Sequence, residues 1–362
     1  MMTALLLYSY TQGVFSSRRI ARGCEERVDF MAVTALQKPD FRTVNEFRRR
    51  HLQALGDLFV QVLRLCRRAG LVKLGHVALD GTKIKANASK HKAMSYARMQ
   101  QAEKELAATV AGWLARAEAE DEAEDREHGK DRRGDELPAW VQNKQERLAR
   151  IRAAKQALEE EAREREDDGD GGTPAPKSQR NFTDPESRIM KTKDGFEQAY
   201  NCQAAVDHEH QIIVAATTTQ AQNDNLELEK LLDEIQANTG KQAREISADS
   251  GYCSEDNLKA LSRRRLRGYI ATGRQPHGKS TATDGHGKKL GVRAARMSAR
   301  LRRGGWRSRY RLRKQTVEPV FGQIKEALGF RRFLLRGYEK VQAEWRIVCA
   351  AFDLRKLATA RG

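Results

Sequence analysis

The sequence predicts an α/β protein, and three features of its apolar pattern predict it. Two short apolar runs, 74–79 and 245–248, each read as a strand that ends at an acid, Asp80 and Asp249. Two further runs, 200–207 and 211–218, read as a strand pair joined tightly at 208–210. Stretches of helical period lie between and around them, so one chain mixes strands with helices that can cover a sheet.

From the N-terminus, residues 5–15 are apolar, Ser16 or Ser17 is placed to cap a helix reaching Arg27, and Pro39 interrupts the pattern. Thr43-Val44-Asn45-Glu46 has the form of a capping box. The helix it would open carries Phe47, Leu52, Leu55, Leu58, Phe59, Val62 and Leu63 at roughly helical spacing, and Gly70 ends it. We therefore expect an N-terminal helical region over 1–70 and a larger domain over 71–362. The chain begins abruptly inside an apolar, helix-like run, which leads us to expect further sequence ahead of it.

After Asp80, residues 96–166 are helical in pattern and highly charged, with a break at 129–138. Trp113, Leu114, Leu148, Ile151 and Leu158 are the few apolar anchors, so we expect two long polar helices packed on each other. A Gly- and Pro-containing linker, 167–181, closes this insertion, which spans 95–181. Beyond the strand pair, Asn223 or Asp224 is placed to cap a helix to Ile235, and Ser254 starts a short helix to Leu261. Residues 268–272 read as a strand, and helices follow over 314–328 and 339–360. In the last of these Val341, Trp345, Val348, Phe352 and Leu357 lie near one face.

The charge narrows the function. Net charge is +18 and the sequence pI is near 9.8. Lys and Arg that displace counterions from phosphates supply most nonspecific DNA affinity, so DNA is the expected partner. The basic residues are uneven: 263–314 hold eighteen Lys or Arg and one acid, Asp284. Acids concentrate in 118–127 and 159–170, where they would repel DNA. Five scattered cysteines, Cys24, Cys66, Cys202, Cys253 and Cys349, lack metal-ligand spacing and fit a reduced, cytoplasmic protein. The apolar run at 4–8 is too short to span a membrane and no basic stretch precedes it.

The chemistry is carried by carboxylates. Asp80 and Asp249 at the ends of neighbouring strands would place two acids where open α/β sheets build their sites. Glu318, in Val317-Glu318-Pro319-Val320-Phe321-Gly322-Gln323-Ile324-Lys325, opens a helix-like segment. Mg²⁺ takes oxygen ligands from a few carboxylates plus substrate phosphate, and paired ions activate an attacking oxygen while stabilising the leaving one. Lys325 lies two helical turns after Glu318 and Lys314 one turn before it, both suited to hold phosphate oxygens. Spacing alone leaves alternatives: an Asp after a strand also serves as a turn or cap residue, and Glu318 also reads as a first-turn acid.

Family resemblance adds to this. The segments 79–89, 200–207, 248–252 and 316–325 are similar to those of the DDE transposases of bacterial insertion sequences. Gly329-Phe330-Arg331-Arg332-Phe333-Leu334-Leu335-Arg336-Gly337, Glu344-Trp345 and the N-terminal 13–20 extend the likeness over nearly the whole chain. The resemblance implies a ribonuclease-H-like mixed sheet and a triad of Asp80, Asp249 and Glu318 that binds Mg²⁺, with Mn²⁺ as a substitute. It also implies phosphate contacts from Tyr310, Lys314 and Lys325, beside Arg313. Two positions depart from the family's signature. Lys314 stands where Arg is usual, and Tyr310 is one residue further away than in the common spacing.

The implied function is cleavage of an element's ends and strand transfer into target DNA, by a homodimer on double-stranded DNA, with no membrane and no nucleotide cofactor. The alternatives are a nuclease without strand transfer and a catalytically silent DNA-binding remnant. Two motifs compete. Residues 273–280 match the phosphate-loop pattern, but 281–291 do not read as the helix that pattern requires. His208-Glu209-His210 has metal-binding residue types but reads as a polar turn, and His277 and His286 as loop residues. The basic runs 263–265, 300–303 and 307–313, with Trp306 and Tyr310 among them, are candidates to line a DNA groove.

Overall fold

The computed structural model describes residues 1–128, 139–166, 172–193, 195–273 and 291–360. The phosphate-loop-like stretch beyond Gly273, His277 and His286 lie outside them. The chain divides into two compact units, 1–87 with 190–362, and 88–189.

Five helices open the first unit: α1 (Met2–Thr11), α2 (Ser17–Glu26), α3 (Val28–Thr34), α4 (Phe41–Arg50) and α5 (Leu52–Arg68). Asp40 caps α4 by accepting from the Arg42 backbone N–H at 2.7 Å, so Thr43 and Glu46 fall inside the helix rather than forming its capping box. An Asp directly after Pro39 intercepts the chain before Thr43 can. The single helix expected from Thr43 to Gly70 is two, divided at His51, whose ring lies against Phe47.

Strand β1 (His76–Lys85) runs five residues beyond Asp80. The expected stop at Asp80 is therefore corrected: Asp80 lies mid-strand. The cause is a partner along the whole length. An antiparallel ladder runs from Val77 opposite Asp207 to Lys85 opposite Ala199. Such a partner satisfies the backbone of the polar half without an apolar run.

In the second unit β2 (Ala93–Ser95) pairs antiparallel with β3 (Gln179–Asn181). Between them come α6 (Tyr96–His128) and α7 (Ala139–Glu166). These helices share a core of Tyr96, Met99, Ile151 and Leu158, and Trp113 meets Trp140 edge to face. Lys155 and Arg152 both hold Glu103 at 3.0 Å across the pair.

The division between the units falls within β4 (Arg188–Thr192). The first unit resumes with β5 (Gly195–Asp207), β6 (Ile213–Thr219), α8 (Leu228–Thr239), β7 (Glu245–Ala248), α9 (Glu255–Arg263) and β8 (Arg267–Ile270). It ends with α10 (Val292–Gly304), α11 (Leu312–Gly322) continued by a π-turn at Gln323–Ala327, and α12 (Tyr338–Thr359). The sheet order is β4-β5-β1-β7-β8, with β6 also on β5. β5 is antiparallel to β1 and β6, while β7 runs parallel to β1 and β8 to β7. This is the mixed sheet of a ribonuclease-H-like fold. Among the described residues no helix is long and apolar enough to cross a membrane.

Helix α12 packs on the sheet with Trp345, Val348 and Phe352 buried, and the Trp345 indole N–H donates to the Gln203 carbonyl at 3.1 Å. Beside it, Glu344 is fully buried and accepts the Leu334 and Leu335 backbone N–H groups. Burial pushes its carboxyl up to about 7, against the pull of those two N–H groups. The folded chain thus binds a proton here that the unfolded chain releases near pH 4–5, so stability falls as pH rises through this window. Relative to Glu344→Gln, the natural chain should lose on the order of 3 kcal/mol between about pH 5 and 8. Urea unfolding of both across that range checks it; parallel curves would remove Glu344 from the account.

Candidate active site

The site lies where β1 meets β7. The last paired residues in this parallel ladder are Ala78 and Ser247, and continuing the register sets Asp80 beside Asp249. Asp80 accepts the Gly81 backbone N–H at 2.9 Å. Asp249 accepts the Gly251 N–H at 2.9 Å and so caps the short turn at Ser250–Tyr252. Burial raises both carboxyls, that of Asp80 to about 7. Arg313 opposes the rise at both, while Asp249 and Asp224 add to it at Asp80.

Glu318 lies in the body of α11, inside the helix expected over 314–328 and not at a helix start, and Pro319 lies inside that helix too. A proline there removes one N–H and leaves the carbonyl four residues back without its helical donor. That carbonyl belongs to Gln315, and the Gln211 side-chain amide donates to it at 2.9 Å. His208 Nδ1 meets the Thr316 hydroxyl at 2.8 Å. The polar turn between β5 and β6 therefore braces the helix that carries Glu318, a role its sequence did not signal. Thr316, Val317 and Val320 of this helix are buried.

Arg313 ties these acids together. Its Nη1 donates to Asp80 Oδ2 at 2.7 Å and its Nη2 to Glu318 Oε1 at 2.8 Å. Arg313 and Asp80 are mostly buried, with side chains 12% and 15% exposed, whereas that of Glu318 is 45% exposed. Burial raises the Tyr310 phenol, and the positive charge of Arg313 opposes that rise. Lys325 lies in the π-turn and donates to the Thr82 hydroxyl and, at 3.2 Å, to the Lys83 carbonyl, which holds it against β1. Lys314 is exposed and makes no hydrogen bond or ion pair among the described residues.

The remaining basic residues divide. Arg263 and Arg264 are held by Glu229 and Asp233 on α8, and Arg309 by Glu245. Arg300 donates to the Gly268 carbonyl and Arg302 to the Ser298 hydroxyl.

A hard divalent ion asks for carboxylate oxygens, and Asp80, Asp249 and Glu318 supply that chemistry. Burial raises the Asp80 carboxyl even with the Arg313 guanidinium beside it, and the neighbouring Asp249 carboxylate adds to the rise, so a further cation at this pair would be favoured. Among the described residues no three His, Cys, Asp or Glu side chains converge as they stand on one ion position. The donors therefore suit the ion, while Arg313 bridges two of them.

Sequence reading missed Asp224. Expected to cap a helix, it instead turns into the site, and α8 starts only at Leu228. Asp224 accepts the side-chain amides of Asn201 and Gln203, each at 2.6 Å. The Asn201 and Gln203 positions did stand in the quoted 200–207 segment, but nothing in their spacing pointed to Asp224.

Sheet, helices and carboxylates define an α/β protein of the ribonuclease-H-like class. Residues 172–354 match the family described as the transposase DDE domain, and residues 1–50 match a transposase domain, DUF772. The first match covers more than half of the chain, and the chain belongs to the transposase DDE domain family. It includes Asp249, Glu318 and Lys325, while Asp80 lies ahead of it. No curated protein and no solved structure matches.

Proposed function

We propose that the protein is a DNA transposase whose Asp80, Asp249 and Glu318 carry out cleavage at the ends of an insertion sequence and strand transfer into target DNA. The observation that carries this reading is the parallel pairing of β1 with β7, whose continued register sets Asp80 beside Asp249 just past the end of β7, with Glu318 linked to Asp80 through one guanidinium. Bound Mg²⁺, or Mn²⁺ in its place, would activate the attacking oxygen and offset charge on the leaving one. Asp80, Asp249 and Glu318 are the residues that would hold it. Lys325, fixed on β1 beside Asp80, holds a phosphate oxygen near the reacting bond. Lys314 and Tyr310 flank the same helix start and steer the backbone, and Arg313 joins them when its carboxylates are taken up. Water is the first nucleophile and the freed 3′-hydroxyl the second, so no bond to the protein forms. The partners are element ends and target duplex, held by a homodimer in the cytoplasm.

The test uses labelled duplexes bearing the element's terminal repeats and a target plasmid, with Mg²⁺ or Mn²⁺, beside Glu318→Gln. We expect cuts at the repeat boundary and joined products, both lost in the variant. Cuts without joining would replace the reading with a nuclease. Binding without cuts would replace it with a silent remnant.

A further inference from the structure

The least expected arrangement lies behind the catalytic pair rather than in it. Asp224 is 9% exposed and fully buried Asn201 and Gln203 donate to the same oxygen, Oδ1. Gln203 is fixed in turn by the Tyr252 hydroxyl, which donates to its side-chain amide oxygen Oε1. In the β1–β5 ladder Gln203 stands opposite Gly81 and Asn201 opposite Lys83. A Cβ on Gly81 would come within 2.5 Å of the Gln203 amide nitrogen, 2.7 Å of Asp224 Oδ1 and 2.9 Å of Asn201 Oδ1. A Cβ on Gly251 would lie 3.0 Å from Asp249 Oδ1 and 3.2 Å from Asp224 Oδ2. The two glycines that donate to Asp80 and Asp249 thus both back onto one carboxylate. Asn201 Oδ1 is buried, has no hydrogen-bond partner among the described residues and is aimed at the same spot, so the pocket is richer in acceptor oxygen than its described donors require.

We propose that Asp224 is a positioning residue of the active centre: it sets the Gly81 and Gly251 peptides that orient Asp80 and Asp249, and adds a negative charge that favours a cation at the pair. The cation part rests on the transposase reading above; the positioning part does not. Asp224→Asn keeps an acceptor oxygen and removes the charge, whereas Asp224→Ala removes both. Hydrogen exchange, read without metal or DNA, should quicken about tenfold over 79–85 and 248–252 in Asp224→Ala and stay as in the natural chain in Asp224→Asn. Mn²⁺ affinity, measured by titration against the folded protein, should fall about tenfold in Asp224→Asn, a change that a purely structural residue would not cause. Unchanged exchange in Asp224→Ala overturns the positioning role. Unchanged Mn²⁺ affinity in Asp224→Asn overturns the charge role. Gly81→Ala guards against a folding failure in Asp224→Ala, because its Cβ disturbs the same contacts from the strand side; it should quicken exchange over 248–252, and unchanged exchange there also counts against the proposal. Absence of Mn²⁺ binding by the natural chain would sink the transposase reading and the charge role together, and leave the exchange arm to decide positioning.

Discussion

Asp80→Asn should abolish metal-dependent strand cleavage, by on the order of a thousandfold or more, and leave the fold intact. The two halves of this expectation have separate causes. Asparagine has nearly the same shape and can still accept the Gly81 N–H, so the strand need not move. It also removes a carboxyl that burial already pushes up to about 7, so the loss of charge costs the folded state little. A neutral amide, however, is a poor ligand for a hard cation and cannot balance it. The asparagine amide cannot accept from both the Gly81 N–H and Arg313, so urea unfolding should place the variant about 1–3 kcal/mol below the natural chain and still folded. Single-turnover cleavage of an end duplex reads the other half. Cleavage within tenfold of the natural chain would remove Asp80 from the reaction.

Arg313→Ala should act with opposite signs on stability and on metal binding. Without metal, it removes the guanidinium paired with the mostly buried Asp80 and leaves Lys325 beside it. The cost is about 1 kcal/mol, because a carboxyl that burial already raises to about 7 takes up a proton instead of staying charged. The exposed end of the bridge at Glu318 adds little, because water solvates it. With Mn²⁺ present most of that cost should return, since a divalent ion meets the same deficit and no longer has to displace a guanidinium. Affinity for Mn²⁺ should therefore rise, on the order of tenfold. Thermal unfolding with and without Mn²⁺ checks both at once. A variant that loses stability equally in both conditions would show that arginine and ion do not share these carboxylates. Cleavage at saturating Mn²⁺ then separates two roles: it falls if Arg313 also grips phosphate, and persists if it only balances charge.

Where the sequence was legible, local signals agreed with the tertiary outcome. β7 begins and ends as its apolar run does, and Ser254 caps α9 through the Asn257 N–H. The place of Asp249 directly after a buried strand was legible, and so was the buried run ahead of Asp80, though not the strand's continuation past it. The second half of β1 was not, because Gly81, Thr82, Lys83 and Lys85 look like a turn until β5 supplies their partner. Pro319 suggested a helix start because a proline's missing donor is harmless there; its tolerance inside α11 depends on Gln211, over a hundred residues away. Asp224 misled for a similar reason. An Asp ahead of a helical run normally caps it, and only the folded sheet brings Asn201 and Gln203 close enough to compete for its oxygens. Such long-range side-chain bonds leave no periodic trace.

The Gln211 amide on the Gln315 carbonyl also constrains how this chain can vary. A surface turn between two antiparallel strands is ordinarily where extra residues are tolerated, because its ends are already fixed by the ladder. Here the turn is a spacer of set length: His208 and Gln211 reach Thr316 and Gln315 on successive positions of one helix. One residue added between them would shift one grip relative to the other and turn α11 about its axis or release it. Length at this turn, rather than composition, is what a shuffled or engineered descendant of the chain would have to preserve.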